Sequence, residues 1–319
     1  MKRLLVAGAC LLLAAPTFAE KIWRVPPGPA TLGAPATVTI SGSPLTVVIG
    51  DDTSAQVYNS NVPGTGQFFP PDCAPGETAD NGVFVSLGGV VYGPDFDNHP
   101  CGSASNSYTP WTAVSMSAVT GTGTAGDPFT VVIIVDAGAT GPRLTETITY
   151  VNGADQYDMA LAFSNIGQGA LTWDTFTGAD IYLADNDSGY GLLQGTSAGG
   201  RAADSSCVPL QYTIILLTPT PADRWSAEGY GTVWGEISAG SLSNVIDASC
   251  LDNGAAVQWT ARTLDPGAGL TIDSGVSFAG SAVPLRADIP TVSTVGLVAL
   301  IGLLGVAGFL RLRKVSPAA

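Results

Sequence analysis

Leu144-Thr145-Glu146-Thr147-Ile148-Thr149-Tyr150-Val151, then Asn152-Gly153, then Tyr157-Asp158-Met159-Ala160-Leu161-Ala162-Phe163-Ser164-Asn165: these two runs and the turn between them decide the fold. In the second run Tyr157, Met159, Leu161 and Phe163 fall on one face, and Asp158, Ala160, Ala162 and Ser164 on the other. A period of two is the mark of a half-buried strand. The first run repeats the pattern, with Leu144, Ile148 and Tyr150 opposite Thr145, Thr147, Thr149 and Val151. Asn-Gly favours the tight turns that join antiparallel strands, so the pair reads as a hairpin. Glu146 shares the side of Ile148 and Tyr150. A carboxylate there faces water at a sheet edge, the commoner outcome, or lies buried or in a cleft.

Similar short runs recur along the chain, parted by Gly, Pro, Asn and Asp. Before the hairpin they are Thr37–Ser41, Leu45–Ile49, Val83–Tyr92, Thr112–Val119 and Phe129–Val135. After it come Ala179–Leu183, Gln211–Leu217, Gly231–Glu236, Val257–Leu264 and Leu270–Phe278. Phe129–Val135 is apolar on both faces and is expected to be a central strand. No internal stretch carries a sustained helical stripe. The pattern predicts an all-β chain, a large antiparallel β-sandwich.

The two ends differ from this body. Lys2-Arg3 followed by the apolar run Leu4 to Ala15 and the small residues of Pro16-Thr17-Phe18-Ala19 read as a signal peptide over residues 1–19. Such a segment engages the Sec translocon and signal peptidase, and the chain is expected to be exported. Residues 20–35, with Pro26, Pro27, Pro29 and Pro35, form an extended lead-in. The body then covers 36–288, with one linker-like break near 121–128. From Val295 to Leu310 no side chain is charged. As a helix rising about 1.5 Å per residue, that run covers about 24 Å, close to the hydrocarbon thickness of a bilayer. Arg311, Arg313 and Lys314 behind it belong on the cytoplasmic side.

Charge and cysteines bound the partners. The whole chain carries −14; Lys2, Arg3, Arg311, Arg313 and Lys314 lie in the two ends, which hold no acid, so residues 20–288 between them carry −19. Such a surface repels nucleic acid, which is excluded as a partner. Cys73, Cys101, Cys207 and Cys250 remain after signal removal, and an even number in an exported chain argues for two disulfides. Of the three pairings, Cys73–Cys101 with Cys207–Cys250 is favoured, because each pair brackets a loop-rich region.

The tail Ile289-Pro290-Thr291, Val292-Ser293-Thr294-Val295-Gly296, hydrophobic helix and Arg/Lys cluster resembles the C-terminal sorting signals of Gram-negative bacteria. The variety it resembles begins Ile-Pro-Thr-Leu and ends in Trp-Gly; Val292 and Val295 depart from it. The resemblance implies an exosortase-type peptidase as partner, an inner-membrane intermediate held by the 295–310 helix, and delivery to the cell surface or outside. A plain membrane anchor is the alternative. An extracellular polysaccharide matrix is the setting it implies.

A second resemblance lies in the body. Gly178-Ala179-Asp180-Ile181-Tyr182-Leu183 and Asp252-Asn253-Gly254, Gln258-Trp259 and Leu264-Asp265-Pro266-Gly267 look like strand-edge segments of galactose-mutarotase-type sandwiches. That group includes sugar epimerases and carbohydrate-binding domains, so the resemblance implies a carbohydrate-binding or weakly carbohydrate-active body.

The residues suggest few chemistries. Asp185-Asn186-Asp187-Ser188-Gly189 alternates side-chain oxygens ahead of a glycine, as a Ca²⁺ loop does, with Asp185 and Asp187 as ligands. Asp and Asn are equally ordinary in turns. His99 is the single histidine, between Asn98 and Pro100, and is expected to be an exposed loop residue. With His99 as the single histidine and expected in a loop, triad hydrolysis, His-based zinc sites and mutarotase-type epimerisation are not expected. Trp225, Tyr230 and Trp234, the last two flanked by Glu228 and Glu236, are the candidates for stacking on sugar rings; as Trp and Tyr are favoured in strands, core or sheet-covering positions are the commoner alternative. The expectation is a non-enzymatic surface or matrix protein without a cofactor other than Ca²⁺, with a carbohydrate-binding body as the alternative.

Overall fold

The computed structural model describes residues 35–62, 64, 66, 68, 69, 76–99 and 108–279. The signal peptide, most of the lead-in, Cys73, Cys101 and the sorting signal from Ile289 to Lys314 lie outside the described residues. Among the described residues no helix is long and apolar enough to cross a membrane.

The chain begins with β1 (Thr37–Ser41), β2 (Leu45–Gly50) and β3 (Ala55–Asn59), which form a small antiparallel sheet. Then follow β4 (Asn81–Leu87), β5 (Val90–Gly93), β6 (Thr109–Pro110), β7 (Thr112–Met116), β8 (Phe129–Asp136), β9 (Pro142–Tyr150) and β10 (Gln156–Asn165). After these come β11 (Leu171–Asp180), β12 (Ser188–Gln194), β13 (Ser197–Ala203), β14 (Pro209–Leu217) and β15 (Arg224–Gly229). Helix α1 (Tyr230–Ser238), β16 (Leu251–Leu264) and β17 (Gly269–Ala279) complete the fold. The strands from β4 onward form one path, β6-β5-β4-β11-β16-β12-β13-β14-β17-β10-β9-β8-β7, with β15 added beside β16.

The hairpin that opened the reading is β9–β10, turning at Gly153, whose φ of 90° suits glycine. Leu144, Glu146, Ile148 and Tyr150 point inward from β9, and Tyr157, Met159, Leu161 and Phe163 from β10. The path folds over so that these residues face Trp173, Ala179, Val83, Val85, Val257 and Trp259 of β4, β11 and β16 in one core. The Phe163 and Trp173 rings meet across it with centroids 5.5 Å apart. Each fully buried aromatic or aliphatic side chain here stabilises the fold by about 2–3 kcal/mol.

Two sequence expectations need correction. Phe129–Val135 is not central: β8 is second from the end of the path, with Val131, Ile133 and Val135 buried and Val132 and Ile134 half-buried. The second apolar row, Val132 and Ile134, lies half-buried on the outer face and belongs to neither core cluster. Gly231–Glu236 is not a strand but the middle of α1. Its Val233, Trp234 and Ile237 pack on Phe84, Phe176 and Ala256, on the outer face of β4, β11 and β16, with Phe96, Tyr108 and Leu242 alongside. Glycine in the sheet lets the helix sit close: a Cβ on Gly178 would stand 2.7 Å from Ile237 Cδ1, and one on Gly254 2.9 Å from Tyr230 Cα. Nine residues are too few to show a repeating stripe in the sequence.

Candidate functional site

The helix-covered face ends in a corner of carboxylates. Asp180 closes β11 and is paired in register with Gly254 of β16. Asp252, two residues earlier on the same face, is therefore its diagonal neighbour, at roughly 7–8 Å between Cα atoms. Asp187 comes from the turn before β12, where Ser188 pairs with Asp252. Asp80 precedes β4, and its carbonyl accepts a hydrogen bond from the Asp180 amide at 3.0 Å. Tyr230, at the start of α1, reaches the same corner across Gly254.

Crowding these acids shifts their proton affinities. Burial pushes the Asp180 carboxyl well above the usual carboxylate range, helped by the charges of Asp252, Asp80 and Asp187. Asp252 is pushed up to about 7, by burial first and by Asp187 second. Tyr230 is raised by burial and by the same acids. A partly exposed acid that exchanges its proton near neutrality, beside a buried acid that holds its proton more tightly than usual and a phenol, can donate to and accept from hydroxyl groups.

Behind the corner lies a buried ion group. His99 Nε2 stands 2.8 Å from Asp52 Oδ2, and Nδ1 stands 3.7 Å from Asp80 Oδ1. Burial alone would lower the histidine pKa, but hydrogen bonds and charges from Asp52 and Asp80 raise it to about 9. Burial alone would raise Asp52, yet His99 and Ser54 hold it below the usual range. The expected exposed His99 is thus corrected: it is buried, 9 % exposed, and its ring meets Phe96 edge-on. Its neighbours in sequence gave no hint of Asp52, which lies 47 residues away.

The remaining candidates are dispersed. Trp234 is 0 % exposed within the aromatic cluster of Phe84, Phe96 and Tyr108; it is the core residue that the alternative reading of these aromatics describes and offers no open platform. Trp225 is half-buried against the main core, on the other side of the sheet. Only Tyr230 of the three stands at the acidic corner. Glu228 accepts from Ser226 and Ser243, each at 3.2 Å, and Glu236 accepts from the Ser243 amide at 3.3 Å, so both tie down the loop after α1. Glu146 is buried on β9, away from the corner.

Asp185 and Asp187 flank Asn186, whose side chain donates to Ala203 O at 2.9 Å and accepts from the Ser188 amide at 3.0 Å. Both aspartates are exposed. Asp187 faces Asp252, whereas Asp185 lies against Gly64. Among the described residues no three Asp, Glu, His or Cys side chains are grouped as a metal site would need. The expected Cys207–Cys250 disulfide is present, with Cα atoms 5.8 Å apart, and it anchors the chain just before Asp252.

No protein-family model matches the chain, and no curated protein is similar to it. Solved structures are similar in fold. An assigned aldose 1-epimerase of Escherichia coli K12 is 11 % identical, over 76 % of this chain and 98 % of that one, with a TM-score of 0.41. A galactose mutarotase related enzyme of Lactobacillus acidophilus is 9 % identical, over 77 % and 98 %, with a TM-score of 0.37. A bacterial glucoamylase complexed with acarbose is 11 % identical over 80 % of this chain, which spans only 34 % of that one, with a TM-score of 0.44. The neighbours thus include mutarotase-like sandwiches, as the body segments suggested. They overturn the expectation of a non-enzymatic body, because epimerase and glycoside hydrolase folds stand among them. Likeness this distant assigns none of those activities to the chain.

Proposed function

We propose that the body is a carbohydrate-recognising β-sandwich, with the Asp180–Asp187–Asp252 corner and Tyr230 as its contact site. The observation that supports this most is the raised pKa of Asp252, about 7, on a side chain still reached by solvent. A carboxylic acid half-protonated near neutrality can give a proton to a glycosidic or ring oxygen, and the same corner offers acceptors for sugar hydroxyls. The acidity of the body disfavours uronate polymers and favours neutral glycans.

We also propose that the chain is exported through residues 1–19 and delivered to the surface through the signal spanning Ile289 to Lys314. Calorimetric titration of the mature body with neutral oligosaccharides, alongside a reducing-end assay, tests the site. Asp252→Asn is expected to lower affinity or turnover at least about tenfold, the loss of one charge-assisted contact. Unchanged binding and turnover in that variant would remove the corner from consideration.

A further inference from the structure

Glu146 stands alone in an apolar row. Its register neighbours are Ile133 on β8 and Leu161 on β10, and Leu161 is followed by Ile272 on β17. All three are 0–1 % exposed, and so is Glu146. The facing layer places Thr177 of β11 between Val83 of β4 and Val257 of β16. Glu146 and Thr177 line the same cavity of about 20 Å³, together with Thr53, Asn81, Gly82, Tyr157, Met159 and other core residues.

Two atoms in this cavity lack a hydrogen-bond partner: Glu146 Oε2 and Thr177 Oγ1. They are therefore not bonded to each other, although they border one space. The other polar groups there are largely committed. Asn81 Nδ2 donates to Ala55 O at 2.6 Å and Ala79 O at 3.3 Å, while its Oδ1 accepts from the Ala55 amide at 3.1 Å. Thr53 Oγ1 accepts from the Val83 amide at 3.2 Å. No lysine, arginine or histidine lines the cavity.

An unpartnered buried polar atom destabilises a fold by about 1–3 kcal/mol, and two facing each other across a gap invite a bridge. A cavity of roughly 10–15 Å³ suffices for one water, which needs two to four polar partners. We infer that this cavity is a binding site for a single water molecule, which joins Glu146 of one layer to Thr177 of the other. Glu146 takes part as the neutral acid, its O–H donating to the water oxygen while the water donates to Thr177 Oγ1. Burial, then the charge of Asp52, pushes the Glu146 pKa up to about 8. The titratable groups around it are Tyr157 on β10, itself raised by burial, and Asp52 beyond Thr53, which is paired with His99. The bridge fastens the two layers at a point where apolar packing is interrupted.

A crystal structure of the mature body at pH 5.5, at a resolution that shows ordered water, tests the site directly. One water within hydrogen-bond distance of both Glu146 and Thr177 is expected; a cavity without density, or with water touching neither group, overturns the inference. A thermal double-mutant cycle provides the second readout. Glu146→Leu and Thr177→Val are expected to lower the unfolding temperature by less together than the sum of their separate losses, because either change alone removes the bridge. Strict additivity overturns it. Glu146→Gln, which keeps a donor and an acceptor, is expected to retain the water and to make the decline in stability between pH 5 and 8 shallower by the part that Glu146 contributes. Because these measurements concern the core, they stand whether or not the corner binds sugar.

Discussion

Asp52 and Glu146 are two acids buried to a similar depth, 7 % and 1 % exposed, and the fold treats them in opposite ways. Asp52 has His99 at 2.8 Å and two contacts from Ser54, and its pKa falls. Glu146 has no cation around it, and its pKa rises to about 8. Burial pushes both the same way, so the difference lies wholly in the partners. One region is built to hold charge; the other is built to hold a proton.

Removing the cation should break the contrast with the largest effect. His99→Leu leaves Asp52 charged and without its ion-pair partner, and is expected to lower stability by about 3–5 kcal/mol at pH 7. The urea midpoint of the mature body measures this; a midpoint within error of the parent would mean the pair contributes little.

The next effect is pH. His99 binds its proton more tightly folded than unfolded, so the stability it brings is complete below pH 6.5 and is lost as the pH climbs through about 9. The total is about 3 kcal/mol, at about 1.4 kcal/mol per pKa unit. Glu146 also holds its proton more tightly in the fold, so its contribution falls as the pH rises from 4.5 through about 8. Asp52 acts oppositely: its contribution is present above pH 3.8 and disappears in acid. Melting temperatures should therefore peak at about pH 4–5 and drop steadily toward 9. A flat profile from pH 6 to 9 would contradict both assignments.

Ser54→Ala sharpens the comparison with the smallest change. It removes a hydroxyl that donates to the Asp52 carboxylate, and is expected to lower stability by about 1–2 kcal/mol at neutral pH. The loss should shrink in acid, as the pH falls below 3.8 and Asp52 takes up its proton. A loss that is equal at both pH values would point to packing instead.

The two regions were not equally legible in the sequence. Alternation around Asn152-Gly153 puts Glu146 on the side of Ile148 and Tyr150, but a carboxylate at a sheet edge facing water is the commoner expectation, and its burial at 1 % exposure corrects that. His99 was invisible in that sense, since its partners come from distant turns and no local pattern encodes them. Strands β12 and β13 escaped notice for a different reason. Gly191, Gly199 and Gly200 look like loop residues, yet a Cβ on Gly199 would come 2.0 Å from Ile214 O and one on Gly200 2.2 Å from Asn253 Nδ2. These glycines are there so that neighbouring strands can approach. The segments Gly178–Leu183 and Asp252–Gly254 were noted as resembling sugar-binding sandwiches, and they do meet, Asp180 beside Gly254. Periodicity alone would not have brought them together.

The Cys207–Cys250 bridge has a practical corollary. It pins the segment leading into Asp252 to the turn between β13 and β14, while the hydrophobic layers lie elsewhere. Protein produced in a reducing cytoplasm would lack this bridge and carry a slack acidic corner. Preparations for functional assays should be oxidised, and their thiols counted, before a negative result is read as a property of the molecule.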